Sequence, residues 1–444
     1  MPLVQIYSKT SELHKLREYA GMDIVVSGRI SDNYKITSGG SLNIVLDSVE
    51  LIGADFKVKT KGKVSVYTNP NNFNLEDFSI GRFVSVMGKL SVYDLENIQD
   101  YTMFNLSKDI NSSIYVNHSK LILKDKTNIM PDEFIRATVL NKIEAEDIEY
   151  GDVGYAMLFG ESVLLEQDIL EAFRTTGIAH LLAVSGLHVS IIAAIISFVL
   201  KRAKVSNVAN LIIMTVLLAT YSYLCNFSVS VVRASLMMIM YLYLKVRGKC
   251  YDRLSALSLS AIIILLTNPL NLFNVSFILS FMAVFSITVL AKTLEKLFGY
   301  FLKNKAATAL SVVFAVQVGL IFVQLYFFKK YTVLSLVYNL IAIPVATIAF
   351  EVFIITLLLS SVLPFLSVFF KIFELLMGLV VKFVYTVSKI GLMISVNNLN
   401  FWIVLLGIAI MITASNFIFA KKRYKAVGIS LFMLIGGILL FVWC

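Results

Sequence analysis

The spacing of hydrophobic positions changes twice along the chain. From Asp23 it alternates, through DIVVSGRI, SLNIVLDSVEL, FKVKTKGKVSVY and GRFVSVMGKLSVY, with turn material at Ser38-Gly39-Gly40 and Asn69-Pro70-Asn71-Asn72. Short strands at this spacing predict a small barrel or sandwich, with which a barrel of the oligonucleotide-binding type is compatible. Over residues 131 to 177 the period becomes helical, opening at Pro131-Asp132-Glu133 and closing at Glu171-Ala172-Phe173-Arg174. From Ile178 long apolar runs take over. A membrane-crossing helix needs ~20 mainly apolar residues, and about ten stretches approach that length: 179–200, 207–225, 228–244, 254–267, 274–291, 307–328, 332–360, 366–396, 400–420 and 426–444. The expected fold is an N-terminal β-barrel domain over 1–130, an acidic helical connector over 131–177, and an all-α polytopic membrane bundle over 178–444.

Composition agrees with a membrane class. The chain is 58% hydrophobic and 15% charged, against roughly 45–50% and ~25% in soluble domains, and its mean hydropathy is +0.79. The net charge of +10 invites a nucleic-acid reading until it is divided by region. Residues 1–130 carry 15 basic and 14 acidic side chains, residues 131–177 carry 3 and 11, and residues 178–444 carry 21 and 4. Basicity is therefore concentrated in loops between apolar runs. Lys201, Arg202, Lys204, Lys245, Arg247 and Lys249 fall on one side, whereas 226–227, 268–273 and 397–399 have no basic residue. Cytoplasmic loops carry such an excess, which places the barrel domain outside the membrane and requires either a helix upstream of it or an atypical start. Cys225, Cys250 and Cys444 show neither disulfide nor metal spacing, and His14, His118, His180 and His188 are scattered. No metal or other cofactor is expected.

Polar residues inside the apolar region are the candidates for chemistry. GIAHLLAVSGLHVS sets His180, Ser185, Gly186 and His188 at the start of the first membrane helix. Ser185 and His188 share a face, and Gly186 permits close helix approach. A Ser–His pair evokes a serine hydrolase, but side chains on one helix face point in parallel and no Asp completes a triad. Packing or a polar pore is the alternative. Arg233 stands five residues into its helix, where a cation must snorkel, pair or face a wet cavity. Gln317 and Gln324 share a face; Asn339 precedes Pro344, where either a broken helix lining a cavity or an ordinary proline kink is expected. Glu351 and Glu374 are the acidic residues deep in apolar runs, Glu374 with Lys371 on the same helix. In the barrel, Lys57, Lys59, Lys61 and Lys63 alternate along one expected strand, either as a solvated face or as a contact for an anion such as DNA.

The segments EAFRTTGIAHLLAVSGLHVSII, VVRASLMM, NPLNLFNVSFILSFMAVFSI and YTVLSLVYNLIAIPV, in this order, resemble the ComEC family of inner-membrane channels for DNA uptake in bacterial competence. The resemblance implies an extracytoplasmic oligonucleotide-binding barrel and a membrane domain that passes single-stranded DNA into the cytoplasm. It points to His180, Ser185, Gly186, His188, Arg233, Ser276, Ser280, Asn339 and Pro344 as structural or pore-lining rather than catalytic residues. Its implied partners are DNA, the lipid bilayer and other competence proteins, with self-assembly left open. Many family members carry a C-terminal metallo-beta-lactamase-like domain, and no HxHxDH-like cluster occurs here, so no zinc nuclease is expected of this chain. A secondary transporter for a small solute and an intramembrane serine hydrolase are the rival expectations.

Overall fold

The computed structural model describes residue 13 and residues 15–31, 34–37, 40–53, 56–60, 62–70, 78, 81–93, 100–116, 121–123, 131–162, 164–390, 393–396 and 401–414. Lys61, His14, His118, Cys444 and the expected span at 426–444 lie outside the described residues. The described chain falls into two compact units: one runs to Ala145 and includes Ile263–Asn274, and the other holds Glu146–Ile262 and the residues from Val275 onward.

The first unit is a closed barrel. Its strands are β1 (Asp23–Ile30), β2 (Lys35–Ile36), β3 (Leu42–Ile52), β4 (Lys57–Lys59), β5 (Lys63–Thr68), β6 (Phe83–Val92), β7 (Ile110–Tyr115) and β8 (Leu121–Leu123), with helix α1 (Asp100–Ser107) before β7. The principal strands close in the order β1-β3-β5-β7-β6 and back to β1. All neighbours in this ring are antiparallel except β5 and β7. This five-stranded Greek-key closure is of the oligonucleotide-binding type, as the alternating pattern allowed. Closure removes free sheet edges and buries one residue in two: Ile24, Val26, Leu42, Ile44, Leu46, Val64 and Val86 fill the interior. In β3 the buried set runs 42, 44, 46 and then 49, 51. The change of phase is a bulge at Ser48, whose φ is 51°. Gly28 faces it, and a Cβ there would stand 2.9 Å from the Asp47 carbonyl oxygen, so only glycine lets β1 approach the bulge.

A second irregularity corrects the expectation of one lysine-bearing strand. Lys59 pairs with Glu50 but Val64 pairs with Leu46, so the β4–β5 side supplies one residue more than β3 and the ladder breaks between them. Lys57 and Lys59 stand on β4, Lys63 opens β5, and Gly62 donates its N–H to Thr60 Oγ1 in the interruption.

Helices follow: α2 (Pro131–Ala145), α3 (Gly151–Phe159), α4 (Gln167–Thr175), α5 (Gly186–Arg202), α6 (Asn207–Leu224), α7 (Val229–Val246), α8 (Arg253–Thr267), α9 (Val275–Phe298), α10 (Asn304–Phe328), α11 (Ser335–Ser360), α12 (Phe370–Ser388) and α13 (Phe401–Ala414). The grouping into units divides the expected connector, since α2 goes with the barrel while α3 and α4 go with the helical unit. Six helical segments are long and apolar enough to cross a membrane: Asn207–Leu224, Val229–Val246, Val275–Phe298, Lys305–Phe328, Ser335–Ser360 and Pro364–Ser388. The expected count of about ten is not reached among the described residues. The stretch at 179–200 shortens because its start is a 3-10 turn, Ala179–Leu181, followed by an extended Ser185, so the helix begins only at Gly186. The stretch at 254–267 is a helix of 15 residues. Between α10 and α11 a short strand, β9 (Lys330–Thr332), pairs with β10 (Met393–Ser395), which ends the expected 366–396 stretch at Ser388.

Within the helical unit α5, α6 and α7 enclose Val189, Ala193, Met214, Leu218, Val231 and Leu242. α3 packs on α11, where Gly154 lies against the Phe353 ring. Its surface is apolar as a lipid-facing surface must be, with Phe198, Ile212, Val216 and Leu358 more than half exposed.

Candidate functional site

The start of α5 is fixed locally. Ser185 is extended, with φ −117° and ψ 167°, and its N–H donates to His188 Nδ1 at 3.2 Å. This is the reciprocal half of a capping box, with histidine in the place of the usual Glu or Gln. Because Nδ1 accepts, the proton of a neutral imidazole resides on Nε2. That atom is buried and has no partner among the described residues, while the ring packs on Phe350 of α11 at 4.6 Å. His180 is not on this helix, contrary to expectation; it lies in the preceding 3-10 turn and is exposed.

Gly186, the first residue of α5, lies against α7. A Cβ there would lie 2.5 Å from Arg233 Nη2. The guanidinium is turned inward, with Arg233 only 6% exposed. Its Nη1 donates to the Ser280 carbonyl of α9, Cζ stands 6.0 Å over the Phe281 ring, and Nε has no partner among the described residues. Of the two arrangements open from sequence, outward snorkelling and an inward partner, the side chain takes the inward one. Its contact is a backbone carbonyl rather than a carboxylate. Arg233 thereby joins α5, α7 and α9, and Ser280 takes part through its backbone. Ser276, one turn earlier on α9, is exposed.

The other polar residues belong to α10 and α11. Gln317 Nε2 donates to Ser335 Oγ at 2.6 Å, tying the middle of α10 to the start of α11. Asn339 is buried and its Oδ1 has no partner among the described residues. Pro344 is exposed, and α11 runs through it from Ser335 to Ser360 without interruption. Of the two expectations at Pro344 the broken helix is not met: proline removes one N–H, and the flanking turns carry the helix on. Glu351 is half-buried on α11, and Glu374 accepts from Lys371 Nζ at 2.8 Å, the local neutralisation their spacing suggests. Among the described residues no group of His, Cys, Asp or Glu is arranged to hold a metal ion.

His188, Arg233 and Asn339 thus have one property in common: each is buried and keeps a polar atom unsatisfied. Leaving such an atom unpaired costs ~1–3 kcal/mol, and more for a charged group. Two of the three orphans, His188 Nε2–H and Arg233 Nε–H, are donors, which suits an anionic or carbonyl-rich group better than a cation.

The barrel carries a second candidate that alternation of residue types does not reveal. In β5, β7, β6 and β1 the residues Tyr67, Tyr115, Lys89 and Asp23 are successive register partners and form one row across the sheet. The Tyr67 and Tyr115 rings stack at 4.9 Å and 17°. Tyr67 is buried beneath, while Tyr115 is 69% exposed and presents a free face. With Met87, Thr68 and Ser41 these residues line a cavity of about 390 Å³. The only sequence signal was a tyrosine near the end of each strand, in KVSVYT and INSSIY. Their apposition required the parallel β5–β7 register. The lysines singled out from sequence are less available, since Lys57 and Lys59 both pair with Glu50, at 3.0 and 3.4 Å. Lys63 is half-buried at the head of β5.

A family model described as a competence protein matches residues 157–421. The chain is similar to ComE operon protein 3 of Bacillus subtilis, 28% identical over 237 residues that span 53% of this chain and 30% of that protein. It is also similar to an uncharacterized protein of Aquifex aeolicus, 29% identical over 176 residues, 39% of this chain and 40% of the other. Recombination protein 2 of Haemophilus influenzae is 25% identical over 171 residues, 36% of this chain and 22% of that protein. The chain thus spans less than half the length of these relatives. No solved structure matches it.

Proposed function

We propose, from the premise that the chain belongs to the competence protein family, that it is the membrane conduit through which single-stranded DNA enters the cytoplasm in natural competence. In this reading the helical unit lies in the bacterial inner membrane and the barrel outside it, in the orientation given by the lysine asymmetry. The observation that carries the proposal is the set of buried, unsatisfied polar atoms on His188, Arg233 and Asn339 in a unit whose lipid-facing surface is apolar. Hydrocarbon excludes a phosphodiester chain, so a passage must supply polar groups at membrane depth. Unsatisfied donors are stabilised when phosphate or base oxygens reach them. The exposed face of Tyr115, beside Lys89, suits a base and its phosphate, because aromatic stacking holds single strands with little sequence preference. DNA, other competence proteins and lipid are the partners of this reading, and no catalytic residue or cofactor enters it.

The geometry gives less support to the intramembrane hydrolase. His188 Nδ1 is engaged by the Ser185 backbone N–H, and no carboxylate orients the ring among the described residues. A small-solute transporter shares the need for buried polar groups but gives the Tyr67–Tyr115 platform no role. The test is uptake of labelled DNA by a strain in which this reading frame is deleted. Loss of cytoplasmic label, restored by the intact gene, is expected; normal uptake would exclude the conduit. Ser185→Ala is expected to retain uptake, whereas full loss with normal membrane insertion would favour the hydrolase.

A further inference from the structure

Away from the polar residues of the proposed conduit, the far ends of α5 and α7 and the beginning of α6 enclose a cavity of about 410 Å³. Its floor is apolar, made by Ala193, Met238 and Leu242, with the exposed Ala194 at its edge. Its rim is basic: Lys201 ends α5, Lys204 stands in the α5–α6 turn and Lys245 lies in the last turn of α7. All three lysines are exposed, no acidic side chain lines the cavity, and none of the three has an ion-pair partner among the described residues. Asn207 and Asn210 add amides at the first turn of α6, whose positive end opens on the same space, and Asn210 Oδ1 has no partner among the described residues. Lys204 adopts a left-handed backbone, φ 54°, where glycine is the usual residue. The turn thus keeps a side chain with a charge at a position where a smaller residue would fold with less strain.

We propose that this cavity binds the phosphate-bearing headgroup of an anionic phospholipid, with the lysines on the phosphate and the apolar floor under the glycerol and first methylenes. Three ammonium groups converging on one opening repel one another, and an anion between them removes that repulsion. The floor argues for lipid over nucleic acid, because it is aliphatic rather than aromatic and because a polynucleotide needs a longer track than this cavity offers. The lysine asymmetry puts the opening at the cytoplasmic leaflet, where anionic lipids attract clustered basic residues. The inference rests on the helical unit sitting in a membrane in the orientation of the lysine asymmetry, and stands apart from the DNA reading.

The experiment is native mass spectrometry of the full chain purified in detergent and offered phosphatidylglycerol and phosphatidylcholine with identical acyl chains. The protein is expected to retain phosphatidylglycerol in preference by about tenfold or more, given the contribution of each lysine near a charged surface. Joint replacement Lys201→Gln, Lys204→Gln and Lys245→Gln should bring the two lipids to parity. Replacing Lys292, Lys296 and Lys303 by Gln, which removes as much charge outside the cavity, should leave the preference intact. Ala194→Trp covers the floor from its edge without changing charge and should also abolish retention, so the proposal remains testable if the triple variant fails to fold. An unchanged preference in both cavity variants would overturn it, as would an equal loss in the control. Displacement of the lipid by millimolar inorganic phosphate, or by a single-stranded oligonucleotide, would assign the cavity to a free anion or to nucleic acid and overturn the lipid. No arm reads DNA uptake, so the result is separable from the fate of the conduit.

Discussion

In the barrel, Leu42, Ile44 and Leu46 are fully buried while Arg29, Asp47, Glu50 and Lys57 lie outside in ion pairs. The helical unit presents Phe198, Ile212 and Leu358 outward and keeps His188, Arg233 and Asn339 inside. The contrast follows from the solvent each surface meets: water rewards exposed charge, and hydrocarbon accepts none. It also teaches where to look for function. The barrel unit buries unsatisfied polar atoms too, on Ser65, Asn111 and Ser112, but these are small neutral side chains, whereas the membrane unit buries a cation, Arg233, and an imidazole, His188.

The contrast breaks most severely at Gly186. Gly186→Leu drives a side chain into the Arg233 guanidinium, and the expected outcome is a fall in transformation of about a hundredfold or more, measured at equal membrane abundance; Arg233→Leu should follow it. Retained uptake in both would reduce Arg233 to packing. Next is the barrel core, where Leu46→Ala should cost about 2–5 kcal/mol, read as a fall in thermal stability of the purified protein. The platform comes third. Tyr115→Ala should weaken binding of a single-stranded oligonucleotide by about 1–3 kcal/mol, roughly 5- to 150-fold, with little change in stability; Tyr67→Ala should add a loss of packing.

The smallest effect belongs to the β4 lysines. Lys57→Gln with Lys59→Gln should change oligonucleotide affinity by less than about threefold, since both side chains already serve Glu50. The hydrogen bond from Lys57, and then that from Lys59, hold the Glu50 carboxyl below its ordinary value. Its contribution to stability is therefore complete at neutral pH and is lost as pH falls from the ordinary carboxylate range through the lowered value. In the double variant this slight acid dependence should disappear from the melting curve.

Hydrophobic spacing made much of the fold legible before any coordinates. Period two from Asp23 announced the barrel, and the apolar runs at 207–225, 228–244 and 307–328 correspond to α6, α7 and α10. Spacing was less reliable where local chemistry intervenes. Ser185 delays the first helix to Gly186, Pro344 bends no rule that its neighbours cannot repair, and one extra residue before Lys63 separates lysines that alternation had joined. Of the candidate site, Gly186 and Arg233 were visible as unusual residues for their surroundings. Their mutual contact was not, because they stand 47 positions apart and all of α6 intervenes before α7 returns to α5.

The sequence by itself determined the class of this protein, its two regimes of burial and its membership of a family, since these rest on the local periodicity and residue types that the solvent selects. Tertiary structure alone decided which polar groups lack partners, that Tyr67 meets Tyr115 across a parallel register, and that Lys245 shares one opening with Lys201 and Lys204. Those facts are relations between distant positions, and distance along a chain carries no record of proximity in space.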